Sequence, residues 1–565
     1  MMGGITPSAR RLLHKDYTVY LVLGLGVLFV VVFLAYPLLR TVLIAFVPNG
    51  RELSFSNMSL VNFEKFLTSN LYRRSLINSF YISFAVVGLT MLIGVPMGYL
   101  VARVEIPGKH VLLSLSVVPL IMPAFLGAFA WIILLGRNGA LRYVFERVGI
   151  DLPPIYGPFG VILAMTLMYY PFVFLLSEGA FETANPTLEE SAAVMGARLP
   201  RILRTISLPL IIPSIAAGGI LIFIRAISNF GVPAIVGGST YVLPTLIYFQ
   251  VNGFWNLHAA AAISLVSVLI TGGALWLQRY IVSRREYETI SASRSKLHIH
   301  RHPVAKALAI VFCWGVVLVS LFPQFTLIVM SFFKTWNGLW PRGFTLSHYL
   351  AIPKFLSGPI KNTLILATSS SLGAAMIGTL IAYVVQRRRP PGSAVLDYAV
   401  MLPFILPGIV VAVALLSSFS SGYLILRGTY WIMIISFVIR RTPYVFRSVS
   451  AGLTQLDPAL EEASILSGAT WFQTFRKVTL PLIFPTLASG TILTFATLLT
   501  ELSTSILLYS AKTRTLSIAI YDSVNDGDYG LASALAVVLF FTVFAVTYAI
   551  NRYTGKSMAA SFRIG

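Results

Sequence analysis

The sequence is poor in charge and in cysteine, and each shortage excludes a class of protein. Charged residues make up 11% of the 565 residues and hydrophobic residues 57%, whereas a soluble domain carries roughly 25% charged residues. The one cysteine, Cys313, excludes an intrachain disulfide and any multi-cysteine metal site. The composition therefore excludes a disulfide-stabilised secreted domain and favours a protein that lies in a lipid bilayer.

Sequence motifs for nucleotide or metal chemistry are also missing. The sequence contains no GxxxxGK(S/T) nucleotide-binding loop and no HExxH zinc motif. The segment from Thr554 to Ser557 ends like a nucleotide loop, but Ile550 occupies the position of its first glycine and an apolar run precedes it. We therefore expect no catalytic residues, no metal site and no cofactor bound by this chain.

Long apolar runs dominate the sequence that remains. We count twelve runs of about twenty residues, the length that crosses roughly 30 Å of hydrocarbon. The predicted fold class is therefore an all-α polytopic membrane protein with about twelve transmembrane helices. The predicted spans are 17–39, 78–102, 111–135, 158–178, 210–229 and 258–278, followed by 307–332, 363–386, 395–418, 428–448, 482–503 and 531–551.

The chain is strongly basic, with 42 Lys and Arg against 20 Asp and Glu, and a net charge of +22. The basic residues lie between the apolar runs, as in Arg10, Arg11 and the run Arg387 to Arg389. This arrangement follows the positive-inside rule and suits anionic lipid headgroups better than a nucleic acid. We therefore predict a multi-pass protein of the inner (plasma) membrane with both termini in the cytoplasm and no nucleic-acid partner.

An internal repeat divides the chain into two halves. Residues 186–213 and 458–485 are similar in sequence, and their shared residues lie 272 positions apart. A second set, which includes Asn78 with Asn362 and Pro119 with Pro403, lies 284 positions apart. The repeat predicts two homologous domains of six spans each, over 1–282 and 307–565, joined by a basic cytoplasmic linker over 283–306.

The repeated segment is a loop between the fourth and fifth spans of each half. Asn185 and Asp457 are good N-caps for a short helix. Gly196 and Gly468 then follow where a left-handed turn would end that helix. We predict a short helix, a glycine turn and a second short helix, after which the next span starts at Leu208-Pro209 or Leu480-Pro481.

The loop resembles the EAA loop of ABC importer permeases. Glu190, Gly196 and Pro209 fill that pattern in the first half, and Glu462, Gly468 and Pro481 fill it in the second. The resemblance implies two docking loops, over 182–209 and 454–481, that bind two copies of a cytoplasmic ABC ATPase, which would hold the ATP and Mg. The residues assigned to ATPase docking are Glu189, Glu190, Ala192, Ala193, Gly196, Pro209, Glu461, Glu462, Ala463, Gly468 and Pro481.

Two further stretches in each half resemble the fused two-domain ferric-iron permeases of this class. They are residues 229–234 with 243–248, and residues 499–509 with 514–521. The resemblance implies import of ferric iron, delivered by an external substrate-binding protein and moved by alternating access. Thiamine, phosphonate and polyamine importers are the alternatives within the same class.

Four polar residues within the predicted spans are candidates for the substrate pathway. Glu501 lies near the outer end of the eleventh span, and Asn229 is its equivalent in the first half. Arg440 and Arg441 lie in the middle of the tenth span, where charge is costly unless it faces water or a partner. Two alternatives remain open for each set of residues. Glu501 either lines the pore mouth or pairs locally, and the two arginines either contact an anion or form a salt bridge.

Two other classes of membrane protein compete with this interpretation. An ion-coupled secondary transporter also has two parallel six-span halves, but it needs no matched docking loops and usually carries acids deep in its core. An intramembrane enzyme would need a cluster of histidines and carboxylates at membrane depth. The sequence favours neither, so we predict a transport subunit rather than an enzyme.

Overall fold

The computed structural model describes residues 17–283, 303–336 and 339–554, and nearly all of this part is helical. The predicted linker over 283–306 lies mostly outside the described residues, since 284–302 fall there. The helix before it ends at Ser283 and the helix after it begins at Pro303.

The secondary structure repeats in the two halves. The helices of the first half are Tyr17–Val30, Val31–Ala35, Tyr36–Ala45, Phe55–Asn57, Val61–Thr68, Asn70–Arg103, Lys109–Ser116, Val118–Ile121, Ala124–Leu135, Ala140–Arg147, Pro158–Thr183, Pro186–Val194, Leu199–Ile202, Leu203–Ser207, Leu208–Ile227, Gly231–Val236, Leu243–Asn252 and Leu257–Ser283. The helices of the second half are Pro303–Met330, Ser347–Phe355, Ser357–Tyr383, Val384–Arg388, Ser393–Met401, Leu402–Phe404, Gly408–Phe419, Tyr430–Gln455, Ala459–Leu466, Trp471–Thr474, Phe475–Thr479, Leu480–Leu499, Ser505–Leu508, Ala511–Thr513, Leu516–Asn525 and Tyr529–Thr554.

The described part of the second half also contains a short β-hairpin. Strands Phe333–Trp336 and Pro341–Phe344 pair antiparallel, with Phe333 opposite Phe344. The hairpin follows the first helix of that half and precedes Ser347–Phe355, so it belongs to a connection between spans. It is the only β-sheet within the described residues.

Apolar helices long enough to cross a membrane confirm the predicted fold class. Within the described residues, nine helices have the length and hydropathy of a span, and two further pairs qualify as broken spans. The remaining predicted span, 428–448, corresponds to the helix Tyr430–Gln455, which has 26 residues but carries Arg440, Arg441 and Arg447. At 1.5 Å per residue it is about 39 Å long, enough to cross the hydrocarbon. The described segments therefore match the predicted count of twelve.

The third and ninth predicted spans are sharply bent rather than continuous. Lys109–Ile121 and Ala124–Leu135 meet at 97°, and Ser393–Phe404 and Gly408–Phe419 meet at 108°. The first break coincides with Met122, whose extended backbone (φ −75°, ψ 134°) precedes Pro123. A proline disfavours the helical conformation of the residue before it, so the repeated prolines produce bends where a continuous span was predicted.

The two halves interlock through their first spans. In one direction, the hydroxyl oxygens of Tyr170 and Ser320 lie 3.1 Å apart, and Trp314 Nε1 donates to the Pro107 carbonyl at 3.3 Å. In the other direction, Thr41 and Ser417 hydroxyl oxygens lie 3.3 Å apart. Each half therefore packs the first span of the other against its own helices, and one apolar core runs through both halves.

Candidate functional site

The first docking loop has the geometry that the sequence predicts. The Asn185 side chain accepts a hydrogen bond from the backbone nitrogen of Thr187 at 3.0 Å, and it caps the helix Pro186–Val194. Gly196 then takes a left-handed conformation with φ of +84°. Because a left-handed backbone is costly for a residue with a Cβ, glycine fixes this turn.

The second docking loop repeats this geometry. Asp457 Oδ1 accepts from the backbone nitrogen of Ala459 at 2.9 Å, at the start of the helix Ala459–Leu466. Gly468 has φ of +86°, so the two glycine turns agree within a few degrees. The helix and glycine turn predicted for each loop are therefore confirmed.

The second arm of each loop differs from its prediction. The sequence predicts a separate short helix before a span that begins at Leu208 or Leu480, but the structure has continuous helices over Leu199–Ile227 and Trp471–Leu499. Each passes through a π-helical turn, Leu203–Ser207 or Phe475–Thr479, shortly before a proline. A proline ring clashes with the carbonyl four residues earlier, and the wider π turn relieves that clash. The second arm of each loop and the fifth span of that half are therefore one continuous helix.

Glu189 points into the protein rather than towards the solvent. Its side chain is 2% exposed and accepts from Arg103 Nε at 3.0 Å and Arg103 Nη2 at 3.2 Å, a bidentate pair. Ser207 Oγ donates to Glu189 Oε1 at 2.9 Å, and Arg103 Nη1 donates to the Phe181 carbonyl at 2.9 Å. The carboxylate thus joins the docking loop to the second and fifth spans directly, and to the end of the fourth span through Arg103.

Glu461 occupies the equivalent position in the second docking loop. Thr479 Oγ1 donates to Glu461 Oε1 at 2.9 Å, and the Tyr383 hydroxyl donates to Oε2 at 3.2 Å. Arg387 Nε lies 3.5 Å from the carboxylate, beyond a good hydrogen bond, and its Nη2 donates to the Leu456 carbonyl at 2.7 Å. The second carboxylate is therefore held mainly by hydroxyl groups.

The partners of Glu189 and Glu461 were missed by the sequence reasoning, although the sequence contains a signal for them. Arg103 recurs as Arg387 at the 284-residue offset, and Ser207 recurs as the hydroxyl residue Thr479 at the 272-residue offset. A buried carboxylate requires a partner, so a basic residue repeated at a span end was a candidate.

Other residues assigned to ATPase docking lie towards the outside of the loops. Ala193, Gly196, Ala463, Gly468 and Pro481 are exposed, and Glu190, Ala192, Pro209 and Glu462 are half-buried. Large apolar side chains stand beside them: Val194 is 88% exposed, and its equivalent Leu466 is 78% exposed. Leu188 and Leu460 are exposed at a second pair of equivalent positions. Each loop therefore presents a surface of small and apolar residues.

The structure brings three of the four pathway candidates together. Glu501, whose side chain is 5% exposed, contacts Arg440 Nη1 at 2.6 Å and Arg441 Nη2 at 2.5 Å. Arg440 Nη1 also donates to Thr504 Oγ1 at 2.7 Å. The arginines therefore form a buried ion triad with Glu501, and two cations against one anion leave one excess positive charge.

Asn229 makes the corresponding contact in the first half. Its Nδ2 donates to the Tyr169 hydroxyl at 2.8 Å, and its Oδ1 accepts from the Val232 backbone at 3.0 Å. Tyr169 stands 272 residues before Arg441, so the two pairs are equivalent. The first half thus holds a neutral pair where the second half holds the ion triad, and Asn229 and Glu501 both cap the chain as it leaves the fifth span of their half.

A family match agrees with the repeat and with the two loops. Residues 94–287 and 374–559 each match the family described as "Binding-protein-dependent transport system inner membrane component", and together these segments make up more than half of the chain. The chain belongs to this family. It is therefore a multi-pass inner-membrane permease, a transport component, and each half contains one copy of the family's domain.

Three relatives show how far the similarity of this permease extends. The Actinobacillus pleuropneumoniae "Ferric transport system permease protein FbpB" is 29% identical over 76% of this chain, which spans 64% of that protein's length. The Sinorhizobium fredii "Probable ABC transporter permease protein y4fN" is 26% identical over 92% of this chain and 93% of its own. A Salmonella paratyphi A "Putative 2-aminoethylphosphonate transport system permease protein PhnV" is 29% identical over 42% of this chain and 87% of its own.

A close approach between Gly408 and the ion triad yields the first prediction for this permease. A Cβ on Gly408 would lie 2.8 Å from Arg440 Nη1 and 2.8 Å from Thr504 Oγ1. We expect Gly408→Ala to destabilise the purified permease by about 1–3 kcal/mol, because the side chains of Arg440 and Thr504 must move away from the new methyl group. The measurement is the unfolding midpoint in mixed detergent micelles.

Gly127 is the matched control for this substitution, since it also lies in the second helix of a bent pair. A Cβ there meets nothing within 4 Å, so we expect Gly127→Ala to leave the stability unchanged or to raise it by at most about 1 kcal/mol, the helix-propensity gain of alanine over glycine. Equal midpoints for both variants would show that Arg440 is not packed against the bend.

Proposed function

We propose that each docking loop binds one copy of a cytoplasmic ABC ATPase, so that one permease chain and two ATPase copies form an ATP-driven importer. The equivalent exposed residues of the two loops carry this proposal. Val194 and Leu466 are large apolar side chains in contact with solvent, beside the small residues Ala193 and Ala463. Exposed apolar patches of this kind are typical of protein interfaces.

The orientation of the loops follows from the distribution of charge. Six spans separate the two loops in the twelve-span topology, so the loops lie on one side of the membrane. Exposed basic residues follow each glycine turn: Arg198, Arg201 and Arg204 in one loop, and Arg476 and Lys477 in the other. The positive-inside rule assigns this side to the cytoplasm, where both termini then also lie.

The continuous helices supply the mechanical link for alternating access. ATP and Mg bind to the partner ATPase, and closure of its nucleotide sites moves the two docking loops. Because the second arm of each loop is continuous with a fifth span, over Leu199–Ile227 and Trp471–Leu499, a displacement of the loop tilts that span. The permease then opens alternately towards the external substrate-binding protein and towards the cytoplasm.

The substrate that we propose is ferric iron. Two observations support it: the stretches that resemble ferric-iron permeases, and the name of the Actinobacillus relative. A phosphonate is the second candidate, because the excess positive charge of Arg440, Arg441 and Glu501 suits an anion and the Salmonella relative is named for 2-aminoethylphosphonate. Thiamine and polyamines are the remaining alternatives; they are cations, as ferric iron is, so the excess positive charge favours none of these three and the choice of iron rests on the two resemblances.

The test is uptake by proteoliposomes that contain the permease, its ATPase and the external binding protein. We expect accumulation of radioactive iron that requires both the binding protein and ATP on the ATPase side. A parallel assay with 2-aminoethylphosphonate separates the two candidate substrates. An ATPase that binds ATP without hydrolysing it is the control and should give no uptake.

Transport driven by an ion gradient without the ATPase would contradict this proposal and favour a secondary transporter. Uptake of the phosphonate but not of iron would leave the importer mechanism intact and replace the substrate.

A further inference from the structure

Each docking loop carries one glutamate that cannot contact a partner protein directly. Glu189 and Glu461 are both buried, although Leu188 and Leu460, which immediately precede them, are exposed. We infer that Glu189 and Glu461 are positioning residues, each of which fixes its docking loop to the spans of its own half. This inference rests on the proposed docking of an ATPase to the loops. The contacts of the two glutamates would then transmit a movement of each loop to the spans of its half.

The bonds of Glu189 define what moves together with the first loop. Arg103 is the last residue of the second span, Asn70–Arg103, and Ser207 belongs to the continuous helix of the fifth span. Arg103 is itself bound to the carbonyl of Phe181, near the end of the fourth span, Pro158–Thr183. A movement of the loop therefore displaces three spans as one body.

Burial makes this contact strong. Arg103 and Glu189 have side chains 6% and 2% exposed, and loss of one partner of a buried pair leaves an uncompensated charge. In an exposed ion pair, water would replace the partner of each charge at little cost in free energy. The buried pair instead resists separation of the loop from the second span while the ATPase pulls on the loop.

The two halves use different partners for the same carboxylate. In the first half, Arg103 binds Glu189 with two hydrogen bonds, and the hydroxyl of Tyr99 has no hydrogen-bond partner among the described residues. In the second half, the equivalent Tyr383 donates to Glu461, whereas the Arg387 Nε has no hydrogen-bond partner there. Bidentate charge-assisted bonds are stronger than bonds from a neutral hydroxyl, so the first loop is held more rigidly than the second.

The matched tyrosines allow a test that removes one oxygen at a time. We expect Tyr383→Phe to lower the iron taken up per ATP hydrolysed by about tenfold, because Glu461 of the second loop loses one of the two hydroxyl groups that donate to it. Tyr99→Phe removes an equivalent hydroxyl that binds nothing and should leave this ratio unchanged. A role in folding alone would lower the amount of permease in the membrane but not the ratio.

A second measurement needs no ATPase. Spin labels at Val194→Cys and Leu466→Cys, in a Cys313→Ala background, report the distance between the two exposed loops of the full chain in lipid nanodiscs. We expect Glu189→Gln to broaden this distance distribution clearly, and Glu461→Gln to broaden it less. Glu190→Gln, the half-buried neighbour, is the control and should leave the distribution unchanged.

The two measurements separate this inference from the proposed function. If Glu189→Gln and Glu461→Gln leave the distance distribution as narrow as in the wild type, the glutamates do not position the loops and the inference is wrong. Equal uptake ratios for Tyr99→Phe and Tyr383→Phe would overturn the assigned difference between the halves. If the wild-type permease binds no ATPase, the docking proposal fails, but the distance measurement still decides whether the glutamates hold the loops.

Discussion

Glu501→Gln is expected to destabilise the permease by about 3–5 kcal/mol, the usual cost of removing one partner from a buried ion pair. The carboxylate is bound to both Arg440 and Arg441. Glutamine keeps the shape but removes the charge, so two buried guanidinium groups remain without a counterion. The unfolding midpoint of the purified permease in mixed micelles measures the loss.

Two controls separate the buried charge from a general effect of the substitution. The triple variant Arg440→Met, Arg441→Met and Glu501→Leu removes every charge of the triad, and we expect it to recover most of the stability. Glu146→Gln breaks an exposed pair with Arg142 and should cost at most about 1 kcal/mol. A Glu501→Gln variant as stable as the wild type would show that the triad is hydrated and not buried.

Valine at either glycine turn is expected to reduce uptake by about tenfold. Gly196 and Gly468 have φ of +84° and +86°, a conformation that costs a β-branched residue more than the 1.4 kcal/mol that corresponds to a tenfold change. A Cβ at either position meets nothing within 4 Å, so the effect arises from the backbone alone. Uptake by proteoliposomes is the measurement.

Asparagine at the same positions is the matched control. Asparagine tolerates the left-handed conformation better than other residues with a side chain, and the open space accommodates it. We expect Gly196→Asn and Gly468→Asn to keep most of the uptake. Normal uptake by both valine variants would mean that the shape of the turn does not matter for transport.

Much of the fold was predictable from local sequence. Apolar runs of the right length predicted the spans, and the 272-residue repeat predicted the two matched loops. The N-caps Asn185 and Asp457 and the glycine turns were predictable because capping and left-handed turns depend on a few neighbouring residues. These features need no knowledge of distant contacts.

The sequence could not predict features that depend on contacts between distant residues. The bends at Pro123 and Pro407 exceed an ordinary proline kink, because the helices that follow them pack into the core. The pairing of Glu189 with Arg103 joins residues 86 positions apart. The candidates Arg440, Arg441 and Glu501 were identified individually, but only the structure shows that they bind one another.

The difference between the halves also required the structure. Equivalent positions hold Tyr169 with Asn229 in one half and Arg441 with Glu501 in the other. The two docking loops therefore share their exposed residues and glycine turns, whereas the buried partners of Glu189 and Glu461 and the candidate pathway differ between the halves.

Cross-linking at the exposed loops tests the docking of two ATPase copies most directly. Single cysteines at Val194 and Leu466, in the Cys313→Ala background, are treated with a short bifunctional reagent in inverted membrane vesicles that contain the ATPase. We expect each variant to form an adduct with one ATPase, and the double variant to carry two. Cysteines that react only from the outer side of the membrane, or that form no ATPase adduct, would contradict the account.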